Sequence, residues 1–483
     1  MSDTLMVSVS GIRGLVGVDL TPEMVARWAA AFGTWAAGRP DGRPARKNAR
    51  VVLGRDARTS GPMFTRAATA GLQSVGCGVI DVGLVATPTV QLAVEHHRAA
   101  GGIVLTASHN PIEWNALKFV GPDGIFLDTQ AGTRVRELAA GAENHALQRA
   151  NYNAIGGVEA DPDAISRHLA GVLALRGVDV RAIKRRRFHV ALDTVRGAGG
   201  AVMPELLQRL GCRVTAINLE TDGRFPRPPE PVPENLKSLG ALVRRSKADV
   251  GIAVDPDVDR LAIVDEKGRP IGEDYTLAFA VRAVLGRLEG GKVGRSKPSN
   301  RRTVQPTVVC NLSTSLVVED AAREFGANVV RAPVGEAHVA RKIIELDSVI
   351  GGEGNGGVMY PALHVGRDAP VAGALLLGLL ARERITVSEL VARAPRYTIV
   401  KAKLERGARS RETGLDDVYA KFRRHFADAS VDTQDGLRLS WPDRWLHVRP
   451  SGTEPIIRLI AEAPSGADAE RLIDEGRRLC AAS

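Results

Sequence analysis

A serine in a short polar loop is the residue of this sequence best suited to covalent chemistry. Ser108 lies in the run T-A-S-H-N-P at 106–111, directly after the apolar segment 102–105. The apolar segment predicts a buried strand, and the Asn-Pro pair predicts that a loop follows it. A hydroxyl on a loop held by a rigid strand can be approached in line by a phosphorus or acyl centre. Ser108 is therefore the candidate nucleophile, and His109 beside it is a second candidate catalytic residue.

Three carboxylates at alternate positions follow a second apolar segment. Asp255, Asp257 and Asp259 come directly after residues 250–254, and Arg260 follows them. Carboxylates this close repel one another strongly without a cation, and oxygen ligands favour Mg²⁺ or Mn²⁺ over zinc. The loop predicts a hard-cation site, against the alternative of a charged, solvated turn. Phosphatases of the haloacid-dehalogenase type also carry Asp-x-Asp after a strand, but they have Thr or Val where this chain has Asp259.

A glycine-dense loop carries groups that could hold a sugar. The run G-G-E-G-N-G-G at 351–357 contains Glu353 and Asn355. Glycines let the backbone approach a ligand closely, and the acid and the amide can accept and donate hydrogen bonds to hydroxyls. A flexible linker has a similar composition, but the apolar residues 358–360 that follow argue against one.

The run R-P-S-G-T-E-P at 449–455 has the composition of a phosphate-binding loop. Arg449 offers a bidentate guanidinium, and backbone amides around Gly452 can form an anion-binding nest. An ordinary Pro/Gly loop is the alternative.

Two single cations are weaker candidates. Arg13 lies in the run S-G-I-R-G at 10–14, which could bind phosphate or form a turn. Lys118 lies on the predicted strand 117–120, ten residues after Ser108. A lysine on an apolar strand is either a side chain that reaches for solvent or, so near a nucleophile, a general base.

The composition restricts the class of protein. The chain has 483 residues, 44% hydrophobic and 4% aromatic, with a formal net charge of +10. A diffuse basic excess suits anionic small substrates, and few aromatic residues argue against stacking on single-stranded nucleic acid. The four cysteines have no C-x-x-C spacing, which argues against zinc or disulfides. The sequence shows no signal peptide, and its longest apolar stretch is too short to span a bilayer, so we expect a cytoplasmic location.

The elements that must position these loops follow an alternating pattern. Apolar strand candidates at 51–53, 102–105, 189–192, 250–254 and 307–310 alternate with helical stretches. Such alternation predicts α/β units with mostly parallel sheets, in which ligands gather at the carboxyl ends of strands. The last hundred residues predict a smaller α+β domain. Polar stretches divide the chain into four predicted domains: 1–158, 159–268, 269–386 and 387–483.

Taken together, the motifs resemble the α-D-phosphohexomutase family, and the resemblance covers essentially the whole chain with the motifs in family order. The family implies three related α/β domains with mixed sheets and a smaller C-terminal domain around a central cleft. It also implies a phosphoserine, Mg²⁺, a hexose phosphate substrate and a hexose bisphosphate intermediate. Nucleic acid and membrane are not expected partners, and the oligomeric state stays open.

The resemblance also assigns roles to individual residues. Ser108 becomes the phosphoserine, whose oxygen binds Mg²⁺ with Asp255, Asp257 and Asp259. Lys118, as candidate general base, and Arg260 act beside the transferring phosphoryl group, and Glu353 and Asn355 bind the sugar. His109 and Arg13 are further candidate catalytic residues, and His364 is a further candidate substrate-binding residue. The phosphate-binding group comprises Arg449, Ser451, Gly452, Thr453 and Arg458.

One position departs from the family pattern. Many members carry histidine where this chain has Gly357, so the acid/base role of that position is lost or moved, and His364 and His338 are candidates to supply it. The glycine-dense run at 351–357, the sugar loop, is most similar in sequence to that of archaeal-type phosphoglucosamine mutases. We therefore expect a phosphoglucosamine mutase, with phosphomannomutase or phosphoglucomutase as the alternative and a metal-dependent sugar phosphatase as a more distant one.

Overall fold

The computed structural model describes residues 5–8, 11–38, 48–141, 147, 149–290, 305–405, 415–450 and 456–481. The strands in chain order are β1 Met6–Ser8, β2 Gly11–Leu15, β3 Arg50–Arg55, β4 Gly78–Leu84, β5 Gly101–Leu105, β6 Trp114–Val120, β7 Val158–Ala160, β8 His189–Asp193, β9 Arg213–Ile217, β10 Val250–Val254, β11 Leu261–Val264, β12 Thr307–Asn311, β13 Asn328–Ala332, β14 Ile350–Glu353, β15 Gly357–Met359, β16 Thr398–Glu405, β17 Ser430–Asp432, β18 Leu437–Ser440, β19 Trp445–Pro450 and β20 Ile456–Ala463.

The helices in chain order are α1 Pro22–Ala37, α2 Gly61–Gln73, α3 Thr87–His96, α4 Thr129–Ala140, α5 Ala164–Ala174, α6 Val180–Arg186, α7 Gly199–Arg209, α8 Lys237–Ser246, α9 Asp274–Gly290, α10 Leu316–Arg323, α11 Glu336–Glu345, α12 Ala369–Glu383, α13 Val387–Arg393, α14 Asp416–His425 and α15 Gly466–Ala481. Strands lie at all five apolar segments predicted from the sequence, because strands buried on both faces are apolar at every position.

The first three domains share one four-stranded unit. Their sheets contain the orders β4-β3-β5-β6, β9-β8-β10-β11 and β13-β12-β14-β15. In each unit the first three strands of the order are parallel and the last is antiparallel. In the first domain this unit is extended by β1, β2 and β7 into seven strands. The three units are therefore related in topology, as the sequence predicted.

This shared topology gives three distant loops the same position in their units. Ser108 lies between β5 and β6, the Asp255–Asp259 loop lies between β10 and β11, and Glu353 and Asn355 lie at the turn between β14 and β15. Each loop thus connects the third and fourth strands of its unit, at the carboxyl end of a parallel strand, where open α/β sheets bind ligands.

The C-terminal domain has a different architecture. Its antiparallel sheet has the order β16-β20-β19-β18-β17, and α14 and α15 cover it through an apolar core that includes Phe422, Leu459 and Ile473. This is the smaller α+β domain that the sequence predicted.

The second and third domains share a continuous apolar core. Helix α12 begins after Asp368, whose side chain accepts a hydrogen bond from the Val371 backbone N–H, with Pro370 in the first turn. Every residue from Ala369 to Leu380 is buried, so the most apolar stretch of the sequence is a helix packed between two domains. Among the described residues, no helix combines the length and apolarity needed to cross a membrane.

Two elements bear on the predicted domain boundaries. Strand β7 spans the predicted boundary after residue 158 and pairs with β4 of the first domain. Helix α13 begins at Val387, which we placed in the C-terminal domain, yet Val387 and Leu390 are buried in the core shared by the second and third domains.

Candidate active site

Ser108 lies at the centre of the site and has an unusual backbone conformation. It is 3% exposed and has φ of 49°, a left-handed conformation that few residues other than glycine adopt. Its backbone N–H donates to Thr106 Oγ1 at 2.9 Å, and its hydroxyl donates to Asp255 Oδ2 at 3.2 Å. The structure therefore brings the predicted nucleophile to the predicted cation loop, 147 residues away in the chain.

A buried ion pair holds the serine loop in this conformation. Arg58 is fully buried, and its Nη2 donates to the carbonyl oxygens of Ser108 and Asn110 at 2.6 and 2.7 Å. Its Nε donates to Asp56 at 3.1 Å, and the Thr106 hydroxyl donates to the same carboxylate at 2.6 Å. Arg58 is thus the residue that fixes the loop carrying the predicted nucleophile.

Replacing Arg58 with alanine is expected to destabilise the first domain by about 3–5 kcal/mol, because Asp56 would remain buried without its counter-charge. Urea unfolding followed by tryptophan fluorescence measures this cost, since three of the five tryptophans, Trp28, Trp35 and Trp114, lie in the first domain. The matched control is Arg50→Ala, because the Arg50–Glu159 pair is largely exposed and should cost less than about 1 kcal/mol. Equal costs for the two variants would contradict the structural role of Arg58.

The three predicted metal ligands converge. Asp255, Asp257 and Asp259 are each buried, and one carboxylate oxygen of each lies within 4.8 Å of the others. Between them, Val258 has φ of 61°, which is strained for a β-branched residue. Burial, followed by the charges of Asp259 and Asp257, raises the pKa of Asp255 well above its ordinary value.

In Asp257 and Asp259, neighbouring groups donate hydrogen bonds to only one of the two carboxylate oxygens. Asp257 Oδ2 accepts hydrogen bonds from Lys118 Nζ at 2.8 Å and from the Thr87 hydroxyl at 2.9 Å. Asp259 Oδ2 accepts a short hydrogen bond from Arg367. The Oδ1 atoms of Asp257 and Asp259 are buried and have no hydrogen-bond partner within the described part of the chain. Orphaned carboxylate oxygens beside a serine hydroxyl suit a divalent cation, since buried charges must be paired or coordinate a metal.

The predicted catalytic cations surround the Ser108 loop. Arg13 Nη1 donates to Asn110 Oδ1 at 2.6 Å. Lys118 forms an ion pair with Asp257. Burial, together with the nearby charges of Arg260 and Arg13, lowers the pKa of His109 to about 2, so His109 is neutral at physiological pH. Arg260 Nη1 lies 3.2 Å from Glu230. Its buried Nε makes no hydrogen bond among the described residues but lies 3.7 Å from Asp259 Oδ1 and 3.9 Å from Asp255 Oδ2, within ion-pair distance of both.

The sugar-loop acid is fully engaged in this structure. Glu353 Oε1 accepts hydrogen bonds from Asn311 Nδ2 at 2.9 Å and the Gly335 backbone at 3.2 Å. Its Oε2 accepts from Arg367 Nη1 at 2.8 Å and from Asn355 Nδ2 at 3.3 Å. A carboxylate offers about four acceptor positions, so Glu353 must release a partner to accept a sugar hydroxyl. The amide of Asn355, at the longest distance, is the partner whose release costs least.

The C-terminal domain brings part of the predicted phosphate loop to this region. Arg449 and Arg458 are cross-strand partners on β19 and β20, and Arg449 Nε lies 3.1 Å from Asp435. The Val334 backbone donates to the same Asp435, which joins the domain to the segment before Gly335. The predicted ligands Ser451, Gly452 and Thr453 lie outside the described residues.

The two histidine candidates are not among the contacts of the sugar loop. His364 is 3% exposed, and its Nε2 lies 2.9 Å from Asp368 Oδ2, which is also 2.8 Å from His168 Nε2. His338 lies in the first turn of α11. The space beside Gly357 is occupied instead by Arg367, whose Cδ would lie 2.3 Å from a Cβ at that position.

Sequence reasoning missed several residues that hold the site. Arg367, Glu336 and Thr87 are single polar residues without a motif of their own, and each acts on a partner more than ten residues away. A usable signal exists for one of them: the D-A-P run at 368–370 has the pattern of a helix start, which would have placed Arg367 at a loop end close to the sheet.

Four family models match successive parts of the chain: the alpha/beta/alpha domains I, II and III of phosphoglucomutase/phosphomannomutase at residues 5–146, 166–268 and 273–397, and its C-terminal domain at 400–479. The chain therefore belongs to the phosphoglucomutase/phosphomannomutase family of α-D-phosphohexomutases.

Individual relatives cover nearly the whole chain. A phosphoglucomutase/phosphomannomutase of Thermococcus kodakarensis is 39% identical over 97% of both chains. A probable phosphoglucosamine mutase of Methanopyrus kandleri is 36% identical over 96% of this chain and 95% of its own. Among solved structures, a phosphoglucomutase/phosphomannomutase family protein of Burkholderia thailandensis superposes with a TM-score of 0.80 at 27% identity, covering 99% of this chain and 98% of its own.

Proposed function

We propose that the protein is a Mg²⁺-dependent phosphohexomutase that interconverts the 6-phospho and 1-phospho forms of a hexose through phosphorylated Ser108. The observation that carries this proposal is the 3.2 Å hydrogen bond between the Ser108 hydroxyl and Asp255. This bond joins the candidate nucleophile of the first domain to the carboxylate cluster of the second, which supports the proposal. Membership of the family supports the same reaction class.

The chemistry of the donor set supports a hard cation here. Asp255, Asp257 and Asp259 would hold Mg²⁺ together with an oxygen of Ser108. The Oδ1 atoms of Asp257 and Asp259, which accept no hydrogen bond among the described residues, are the donors available to it. When bound, the ion neutralises charge on the phosphoryl group as that group is transferred.

Side chains of the protein carry out the other steps of the reaction. In the forward half-reaction the oxygen of a sugar hydroxyl attacks phosphorus, the bond from phosphorus to Ser108 Oγ breaks, and the hydroxyl proton passes to a base, for which Lys118 is the candidate. Arg260 Nε, which makes no hydrogen bond among the described residues, can donate to a phosphoryl oxygen in the transition state. The resulting hexose bisphosphate then turns in the cleft and returns its other phosphoryl group to Ser108. Arg449 would bind whichever phosphate is not reacting.

Glucosamine phosphate is the proposed sugar. The sugar-loop form G-E-G-N-G-G at 352–357 and the name of the Methanopyrus kandleri relative support it. The name of the Thermococcus kodakarensis relative supports the alternative, glucose and mannose phosphates. The cytoplasmic location and the absence of nucleic-acid and membrane partners stay predictions from the sequence.

A side-by-side assay of the three sugars tests this choice. With a hexose bisphosphate activator and Mg²⁺ present, we expect kcat/KM for glucosamine 6-phosphate to exceed those for glucose and mannose 6-phosphates by about tenfold or more, as when a site recognises a polar group. Higher kcat/KM for glucose or mannose phosphate would establish the alternative mutase. Release of free phosphate at the rate of sugar-phosphate loss would instead establish a phosphatase, so the same assay includes a phosphate measurement.

A further inference from the structure

Arg367 joins three carboxylates that come from three different segments. Its Nη2 donates a short hydrogen bond to Asp259 in the cation loop, its Nη1 donates to Glu353 in the sugar loop at 2.8 Å, and its Nε donates to Glu336 at 3.0 Å. The side chain of Arg367 is 9% exposed and those of its partners are 6% exposed or less. All three nitrogens of one guanidinium are thus used to hold acids in place, which a compact lysine ammonium cannot reproduce.

Gly357 is the residue that makes this arrangement possible. A Cβ at position 357 would lie 2.3 Å from Arg367 Cδ and 2.9 Å from its Cγ. The backbone of Gly357 is not in the left-handed region, so the glycine is required by space rather than by conformation. The stem of Arg367 therefore reaches the three acids through the room that a side chain at position 357 would fill.

Glu336 also connects the hydrogen bonds of Arg367 to the first domain. Gln91 of α3 donates from Nε2 to Glu336 Oε1 at 3.3 Å, and the same helix begins at Thr87, whose hydroxyl donates to the cation ligand Asp257. Asp259 belongs to the second domain, while Glu336, Glu353 and Arg367 belong to the third. The cation loop and the sugar loop are consequently connected by side chains rather than merely adjacent.

We infer that Arg367 is a positioning residue that holds Asp259 toward the cation and Glu353 toward the sugar, and that Gly357 and Arg367 act as one unit. The inference deepens the proposed mutase function, and the part of it that concerns Glu353 and the sugar rests on that function. At the cation end it rests on the geometry of Asp259 alone. There, Arg367 occupies Oδ2 and leaves Oδ1 as the oxygen that can bind a metal.

The test uses Arg367→Lys, Gly357→Ala and the double variant in the full-length protein. Arg367→Lys keeps the charge, so a lost contact is not confused with a lost cation, and it avoids the burial of three unpaired acids that would endanger folding. Calorimetric titration of the EDTA-treated proteins with Mg²⁺ is the first readout. We expect a rise in Kd of about tenfold or more for each single variant, in the range seen when a group that orients a metal ligand is lost.

The double variant decides whether the two residues act together. If Gly357→Ala acts by displacing Arg367, the Kd of the double variant for Mg²⁺ should be no higher than that of the single variant with the higher Kd. If the two substitutions act independently, their fold-increases in Kd should multiply. The control is Arg282→Lys, a mostly buried arginine of the third domain whose ion pair with Glu324 touches neither loop. Its Mg²⁺ affinity should match that of the wild type.

Activity supplies the second readout. In the single variants KM for the sugar phosphate should rise about tenfold, together with a lower kcat, because Glu353 loses its shortest hydrogen bond. Multiplicative effects in the double variant, or Mg²⁺ affinity within twofold of wild type in Arg367→Lys, would overturn the inference. If the wild type turns over no hexose phosphate, the proposed function fails, while the Mg²⁺ titrations still judge the role of Arg367.

Discussion

Substituting Ser108 with alanine is expected to lower mutase turnover by a factor on the order of 10⁴ or more. The hydroxyl is the atom that would carry the phosphoryl group between the two forms of the sugar, and it lies 3.2 Å from the carboxylate cluster. The Ser108 loop is fixed by Arg58 through backbone carbonyls, so the substitution should leave the fold intact. The loss should therefore appear in kcat rather than in KM for the sugar phosphate.

Transfer of labelled phosphate separates a lost nucleophile from a distorted site. Incubation with a labelled hexose bisphosphate should phosphorylate the wild type and the control Ser166→Ala, whose serine is exposed on α5. It should leave Ser108→Ala unlabelled. Full isomerisation by Ser108→Ala would refute the phosphoserine mechanism. Equal labelling of Ser108→Ala and wild type would move the phosphorylated residue elsewhere.

The parts of this site that were predictable from sequence are those encoded locally. Strand β10 is apolar throughout, and the alternating aspartates begin at the residue that follows it, so both the element and its terminal loop are visible in one short window. The same holds for Ser108 after β5. Because ligands gather at the carboxyl ends of parallel strands, each loop could be placed at the binding edge of its own sheet, whereas the meeting of loops from different sheets at one cleft was implied by the resemblance to the family.

The supporting residues were not predictable because their partners lie far away in the chain. Arg367 and Asp259 are separated by 108 positions, and Arg58 and Ser108 by 50. Nothing near Arg58 in sequence distinguishes a buried ion pair from a surface charge. The helix start at 368–370 would place Arg367 close to the sheet, but it does not identify the acids that Arg367 binds. Gly357 is a different case. The sequence showed that this position departs from the family pattern, but only the structure shows the reason, which is that the side chain of Arg367 occupies the space beside it.

Asparagine in place of Asp255 should separate stability from activity. In the metal-free protein three buried carboxylates repel one another, and burial with the neighbouring charges of Asp259 and Asp257 raises the pKa of Asp255. A group whose pKa is raised by folding stabilises the native state at acidic pH, and that contribution is lost as the pH rises through the raised pKa. We therefore expect EDTA-treated Asp255→Asn to be more stable than EDTA-treated wild type, by a margin that grows from acidic to neutral pH.

Adding Mg²⁺ should reverse this order. A ligand at one hundred times its Kd stabilises a protein by about 2.7 kcal/mol, so Mg²⁺ should raise the melting temperature of the wild type and have little effect on Asp255→Asn. Mutase activity should fall by a factor on the order of 10² or more, since charge neutralisation at the transferring group is weakened. Asp163→Asn, an exposed aspartate whose side chain makes no capping bond at α5, should behave as wild type in all three measurements. An Mg²⁺ response in Asp255→Asn equal to that of the wild type would place the cation away from the Asp255 loop and remove the link to Ser108.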